Sequence, residues 1–125
     1  MIDDNEAILD SSRRLLEYLG FDVSTFTNPD CINNLEKNLP DLILLDLLLV
    51  NADGREVCKL LKLNNNTKHI PVILLSAQSD YEVKEAADSC GAQGYILKPY
   101  KIDDMIAVLK KFINNSKLDS LGDLV

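Results

Sequence analysis

Several features that define common functional classes are missing from this chain of 125 residues. No apolar run approaches the roughly 20 residues needed to cross a bilayer, and no basic segment with a cleavage site opens the chain. A basic surplus is also missing: Lys and Arg number 13 against 20 Asp and Glu, giving a net charge of −7. An acidic surface repels nucleic-acid backbones and anionic membranes, so neither is expected as a partner of these residues. Cysteine is scarce, and Cys31, Cys58 and Cys90 have no CxxC or other metal-ligand spacing. They read as free thiols at core or boundary positions, in a protein of the reducing cytoplasm. The one histidine, His69, lies in a polar loop and reads as a surface residue. No internal repeat or low-complexity tract interrupts the chain.

What is present is the composition of one domain, with 46% hydrophobic and 26% charged residues. Asp41-Leu-Ile-Leu-Leu-Asp46 and Ile70-Pro-Val-Ile-Leu-Leu75 are almost continuously apolar, as strands covered on both faces must be. Phe21–Phe26 and Gly94–Leu97 are weaker strand candidates. Helical spacing fills the intervals. Ile8, Leu15, Leu16 and Leu19 share a face ahead of Gly20, while Asn28 and Pro29 can cap and start a helix carrying Ile32 and Leu35. Asp53–Leu61 forms a third helix ended by an asparagine run, and a fourth spans about Tyr81 to Cys90 before Gly91. Ile102, Met105, Ile106, Leu109, Phe112 and Ile113 form the stripe of a fifth. This alternation predicts right-handed βαβ units around a parallel sheet, an α/β domain over residues 1–115. Residues 116–125 lose the pattern and read as a tail or linker root.

Ligands of such sheets gather at the carboxyl ends of the strands. Asp46 stands there between two apolar runs, where a carboxylate is costly to desolvate unless it is paired or holds a cation. Asp3 and Asp4, Ser76 and Lys98 occupy the ends of the neighbouring segments. Three crowded acids cannot all stay ionised without a divalent cation, and oxygen ligands favour Mg²⁺. One carboxylate could then attack phosphorus, with Lys98 and Ser76 contacting the new phosphoryl oxygens. Singly, each residue has a plainer explanation: a strand-end cap, a helix N-terminal acid pair, a capping hydroxyl, a solvated cation. Their joint placement carries the argument.

These residues make the chain resemble the receiver domain of two-component response regulators over nearly its whole length. The resemblance rests on the Asp3-Asp4 pair before the first helix, Asp46 ending the third strand and Asp53-Gly54 seven residues later. Leu74-Leu-Ser-Ala77 and Tyr95-Ile-Leu-Lys-Pro99 complete it. It implies a flavodoxin-like, doubly wound sheet of strand order 2-1-3-4-5 with five helices. It further implies that Asp46 accepts a phosphoryl group from a histidine kinase or phosphotransfer protein, making the chain a self-phosphorylating signalling domain rather than a turnover enzyme. Asp4 would hold Mg²⁺ directly, Asp3 mainly through water, and the Leu48 backbone carbonyl would be a further ligand. Lys98 would pair with the phosphoryl group, Ser76 would move in to hydrogen-bond it, and Tyr95 would turn inward as the aromatic switch. The Lys98-Pro99 bond is expected to be cis, and small Ala77 keeps the site open to phosphodonors. By the same resemblance the fourth helix, fifth strand and fifth helix form a face for homodimerisation or partner binding.

Departures from the family pattern define further expectations. Leu49-Val50 replace a frequent Met-Pro, so the loop before Asp53 is expected to be less rigid. Leu48 and Gln78 occupy positions where the family tunes dephosphorylation, and an apolar Leu48 implies slow loss of the phosphoryl group. Only Met1-Ile2 stand where receivers have an apolar first strand, so that strand reads as truncated and the acid pair as poorly anchored. An incomplete start is the preferred explanation, with a neighbouring chain or alternative pairing as the others. A degenerate receiver, binding proteins without phosphorylation, is the main rival. An aspartate-nucleophile phosphatase would need a second acid where Leu48 stands, and a flavin binder a Ser/Thr/Gly-rich loop where Asp3-Asp4-Asn5-Glu6 stands.

Overall fold

In the computed structural model, which describes residues 1–37 and 39–113, the chain opens with α1 (Glu6–Tyr18) and a 3-10 helix (Pro29–Lys37). There follow β1 (Ile43–Asp46), a ribbon of β2 (Leu48–Leu49) and β3 (Ala52–Asp53), and α2 (Gly54–Leu63). The last elements are β4 (Val72–Ser76), α3 (Asp80–Cys90), β5 (Gly94–Leu97) and α4 (Ile102–Phe112). The expected tail at 116–125 lies outside the described residues.

The two apolar runs become β1 and β4, and their alternation builds two cores. Ile43, Leu45, Val72 and Leu74 pack with Val57, Cys58 and Leu61 of α2 and Val83, Ala86, Ala87 and Cys90 of α3. Leu44, Ile73 and Leu75 pack instead with Leu16 of α1 and Met105 and Leu109 of α4. Helices therefore cover both faces, which is why the strands carry no polar alternation. Leu45, Val72, Ile73, Leu74 and Leu75 are wholly enclosed, each contributing roughly 1.5–3 kcal/mol of apolar burial. Cys58 and Cys90 are core thiols, as expected, and Cys58 donates to the Cys90 carbonyl at 3.4 Å.

β1, β4 and β5 form a parallel sheet in the order β1-β4-β5. Beyond β1, Ile2 makes parallel bridges to Leu45 on one side and Phe26 on the other. Across the sheet the segments run Phe26, Ile2, β1, β4, β5, the expected order with its first two members reduced to single bridges. Ile2 N–H donates to Leu44 O at 2.8 Å, and Phe26 N–H to Met1 O at 2.9 Å. The acid pair is thus anchored on both sides, contrary to expectation. The proposed strand Phe21–Phe26 keeps alternating exposure but bridges only at Phe26, because its partner side consists of Met1–Asp3.

The expected second α-helix is instead the 3-10 helix. Pro29, Ile32 and Leu35 recur every three residues, a spacing that a three-residue turn stacks on one side, and Ile32 and Leu35 pack on the α2–α3 core. The described residues therefore contain four α-helices rather than five. The segment before Asp53, expected to be a loop, holds the β2–β3 ribbon, with Asn51 in the left-handed region at φ 63°. Asn5, Asp53 and Ser79 cap α1, α2 and α3 through their side chains. Gly91 ends α3 at φ 83°, a conformation that favours glycine. Among the described residues no helix is long and apolar enough to cross a membrane.

Candidate functional site

Parallel register sets the carboxyl ends of the strands side by side. Asp46 lies opposite Leu75, and Ser76 opposite Leu97, so Asp46, Ser76 and Lys98 close three adjacent strands. Backbone bonds extend the ladder past them, from Leu47 N–H to Leu75 O at 2.8 Å and from Lys98 N–H to Ser76 O at 2.7 Å. Asp46 N–H donates to Ile2 O at 2.8 Å, which sets Asp3 and Asp4 beside it.

Asp3, Asp4 and Asp46 each offer a carboxylate oxygen within 4.8 Å of the others. Asp3 is 0% exposed and Asp46 4%, whereas Asp4 is open to solvent. Lys98 Nζ bridges the two buried acids, 3.0 Å from Asp3 Oδ2 and 3.2 Å from Asp46 Oδ2. Asp46 Oδ1 also accepts from Leu48 N–H at 3.3 Å, Asp3 Oδ1 from Asn5 N–H at 3.0 Å and Asp4 Oδ2 from Val50 N–H at 3.2 Å. The β2–β3 turn is therefore tied to the acid pair.

Burial, reinforced by the charge of Asp3, raises the Asp46 carboxyl above the ordinary range, with Lys98 and Leu48 N–H acting in the opposite direction. Burial disfavours the Lys98 charge, but the hydrogen bond to Asp3 and the charges of Asp46 and Asp3 hold its ammonium above the usual value. One cation thus serves two buried carboxylates, leaving the trio net negative. Three oxygen-donor groups around a residual negative charge fit a hard divalent cation such as Mg²⁺.

Ser76 is buried, and its hydroxyl accepts from Gln78 N–H at 3.0 Å. Tyr95 is turned toward α3, its hydroxyl donating to Asp80 Oδ1 at 2.6 Å. The Lys98-Pro99 bond is cis, as expected. Ala77 and His69 are exposed. Asp53 is the N-cap of α2, accepting from Arg55 N–H at 2.9 Å and paired with the Arg55 guanidinium at 3.0 Å. Gly54 packs directly on the backbone below the site: a Cβ there would lie 2.4 Å from Asp46 O.

Sequence reasoning missed Tyr100. Its hydroxyl donates to Asp3 Oδ2 at 3.2 Å, and its ring lies 5.9 Å from Lys98 Nζ. Burial, then the Asp3 charge, pushes the phenol well above its ordinary value, so it remains a donor. The available signal was a hydroxyl-bearing aromatic two residues after the strand-end lysine. Asp80 as partner of Tyr95 left no comparable trace, because that contact joins two elements 15 positions apart.

The family model for the response regulator receiver domain matches residues 1–110. The chain belongs to this family, a two-component signalling module. It is 30% identical to the phosphate regulon transcriptional regulatory protein PhoB of Rhizobium meliloti (strain 1021), covering 100% of this chain and 56% of that protein. The chain spans about half the length of the curated relatives it matches. Among solved structures it resembles the signal receiver domain of a signal transduction histidine kinase from Syntrophus aciditrophicus, at a TM-score of 0.79 and 28% identity over 92% of each chain. The receiver domain of sensor histidine kinase PA1611 from Pseudomonas aeruginosa PAO1, which carries magnesium in its active-site cleft, shares the fold at a TM-score of 0.81. That likeness has 23% identity and covers 91% of this chain and 94% of the other.

Proposed function

We propose that Asp46 is the phosphoacceptor of this receiver domain, taking a phosphoryl group from a phosphohistidine on a histidine kinase or phosphotransfer protein. The observation that carries the reading is the buried Asp46 carboxylate, held 3.2 Å from Lys98 Nζ within an acid trio. Asp46 attacks phosphorus, an O–P bond forms as the P–N bond breaks, and the donor histidine leaves with the electron pair. Asp3, Asp4, Asp46 and the Leu48 carbonyl would hold Mg²⁺, which when bound supplies charge for the phosphoryl oxygens. Lys98 exchanges its bond to Asp46 for the phosphoryl group. Ser76 gives up Gln78 N–H and donates its own proton to the same group. Tyr95 leaves Asp80 and turns inward, altering the surface of α3, β5 and α4 that partners read.

Incubation with acetyl phosphate and Mg²⁺, followed by intact mass spectrometry, tests this reading. The expected result is a gain of one phosphoryl group in the wild type and none in Asp46→Ala. No gain in the wild type would leave the chain as a phosphorylation-independent interaction module, and a gain that survives the substitution would move the acceptor to another residue; either overturns the assignment of Asp46.

A further inference from the structure

Asp3 is the most enclosed acid of the site, and its carboxylate is nearly saturated. Oδ1 accepts from Asn5 N–H, while Oδ2 takes both Lys98 Nζ at 3.0 Å and the Tyr100 hydroxyl at 3.2 Å. The two donors on Oδ2 differ in kind, one a charged ammonium and the other a neutral hydroxyl. Lys98 is also shared with Asp46, and it is the group that must move toward a phosphoryl oxygen. When it moves, a carboxylate with no solvent exposure would lose its ammonium partner, a costly event inside a protein. Tyr100 is placed to limit that cost. Its ring packs on the core shared by α1 and α4, and it lines a cleft of about 340 Å³ with Ile8, Ser11, Leu15 and Met105. The hydroxyl thus reaches Asp3 from a ring held by core packing rather than by its contact with Lys98.

We propose that Tyr100 is a positioning residue of the phosphoryl-transfer site: its hydroxyl keeps Asp3 compensated while Lys98 transfers to the phosphoryl group, and restrains the pull of Asp3 on the divalent cation. This rests on the phosphoacceptor reading of Asp46. It implies opposite effects on two measurable quantities. Tyr100→Phe keeps the ring packing but removes the donor, so Asp3 carries more uncompensated negative charge. The cation is then held more tightly, and Lys98 is released from Asp3 less readily.

Calorimetric titration with Mg²⁺ and the rate of phosphorylation by acetyl phosphate at saturating Mg²⁺ test the two halves. In Tyr100→Phe, Mg²⁺ affinity is expected to rise about threefold or more while the rate falls by a similar factor, a fraction of what one hydrogen bond to a charged group can contribute. In an Asp3→Asn background the same change should leave Mg²⁺ affinity where it was. General loosening of the site would weaken binding and slow transfer together. Affinity equal to or below wild type, or the same tightening without the Asp3 charge, would overturn the proposal. A wild-type protein that binds Mg²⁺ but never gains a phosphoryl group would defeat the phosphoacceptor reading and the rate half. The Mg²⁺ titrations would still decide whether Tyr100 restrains Asp3.

Discussion

Gly54→Ala opposes two physical effects of different size. Alanine is the better helix former by up to about 1 kcal/mol, and Gly54 is the first residue of α2, so propensity alone predicts a more stable protein. The structure predicts the reverse. A Cβ at position 54 would lie 2.4 Å from Asp46 O, 2.8 Å from Leu47 Cα and 2.9 Å from Leu47 O, whereas real Cβ atoms essentially never come within 3.0 Å. All three neighbours are backbone, so no side chain can rotate away. The start of α2 must withdraw by at least about 0.6 Å from Asp46 O, which strains the Gly54 N–H bond to Leu47 O, 2.8 Å long. Overpacking costs about 1–3 kcal/mol and a weakened hydrogen bond about 1 kcal/mol, less the gain in helix preference. The net expectation is a loss of about 1–3 kcal/mol, or roughly 3–12 °C in Tm for a domain of this size. Urea denaturation followed by far-ultraviolet circular dichroism measures it directly. A midpoint for Gly54→Ala equal to or above that of the wild type, at unchanged slope, would refute the steric argument.

Two further outcomes follow from the acid cluster. Because burial and Asp3 raise the Asp46 carboxyl, the folded protein holds that proton more tightly than the unfolded chain does. The stability this provides is complete below the unfolded value and is lost as pH rises through the raised one. Asp46→Asn removes the buried charge and should stabilise the metal-free protein at pH 7 by about 0.5–2 kcal/mol, with the gain vanishing in acid; calorimetric scans across pH check this, and an equal gain at all pH values would count against it. A phosphoryl group on Asp46 should persist for minutes to hours, because apolar Leu48, exposed beside the site, cannot orient an attacking water. Decay within seconds after removal of the phosphodonor would contradict that account.

Much of the fold was legible because burial on both sheet faces leaves a strong mark. The runs ending at Asp46 and Leu75 could hardly be anything but interior strands, and their ends located Asp46 and Ser76, while Lys98 follows the weaker run Gly94–Leu97. Regular periodicity likewise exposed α1, α2, α3 and α4. The three-residue spacing of Pro29, Ile32 and Leu35 was compatible with two helix types, and only its packing on the α2–α3 core distinguishes them. Phe21–Phe26 has strand chemistry, but ladder formation depends on what lies opposite, and that is a property of Met1–Asp3. The β2–β3 ribbon sits in a run of leucines that masks its turn. Long-range polar contacts, Tyr100 to Asp3 and Tyr95 to Asp80, leave no periodic trace at all.

The bridge at Ile2 makes one short segment a hinge pin shared by the sheet and the site. The same three residues receive Asp46 N–H, join Phe26 to β1 and carry the Asp3 carboxylate to Lys98. Were they to lift away, the edge of the sheet, the amide support of Asp46 and the second partner of Lys98 would be lost in a single opening event. Exchange protection of the Asp46 amide therefore gauges whether the acid cluster is assembled, without any phosphoryl group or cation having to be present.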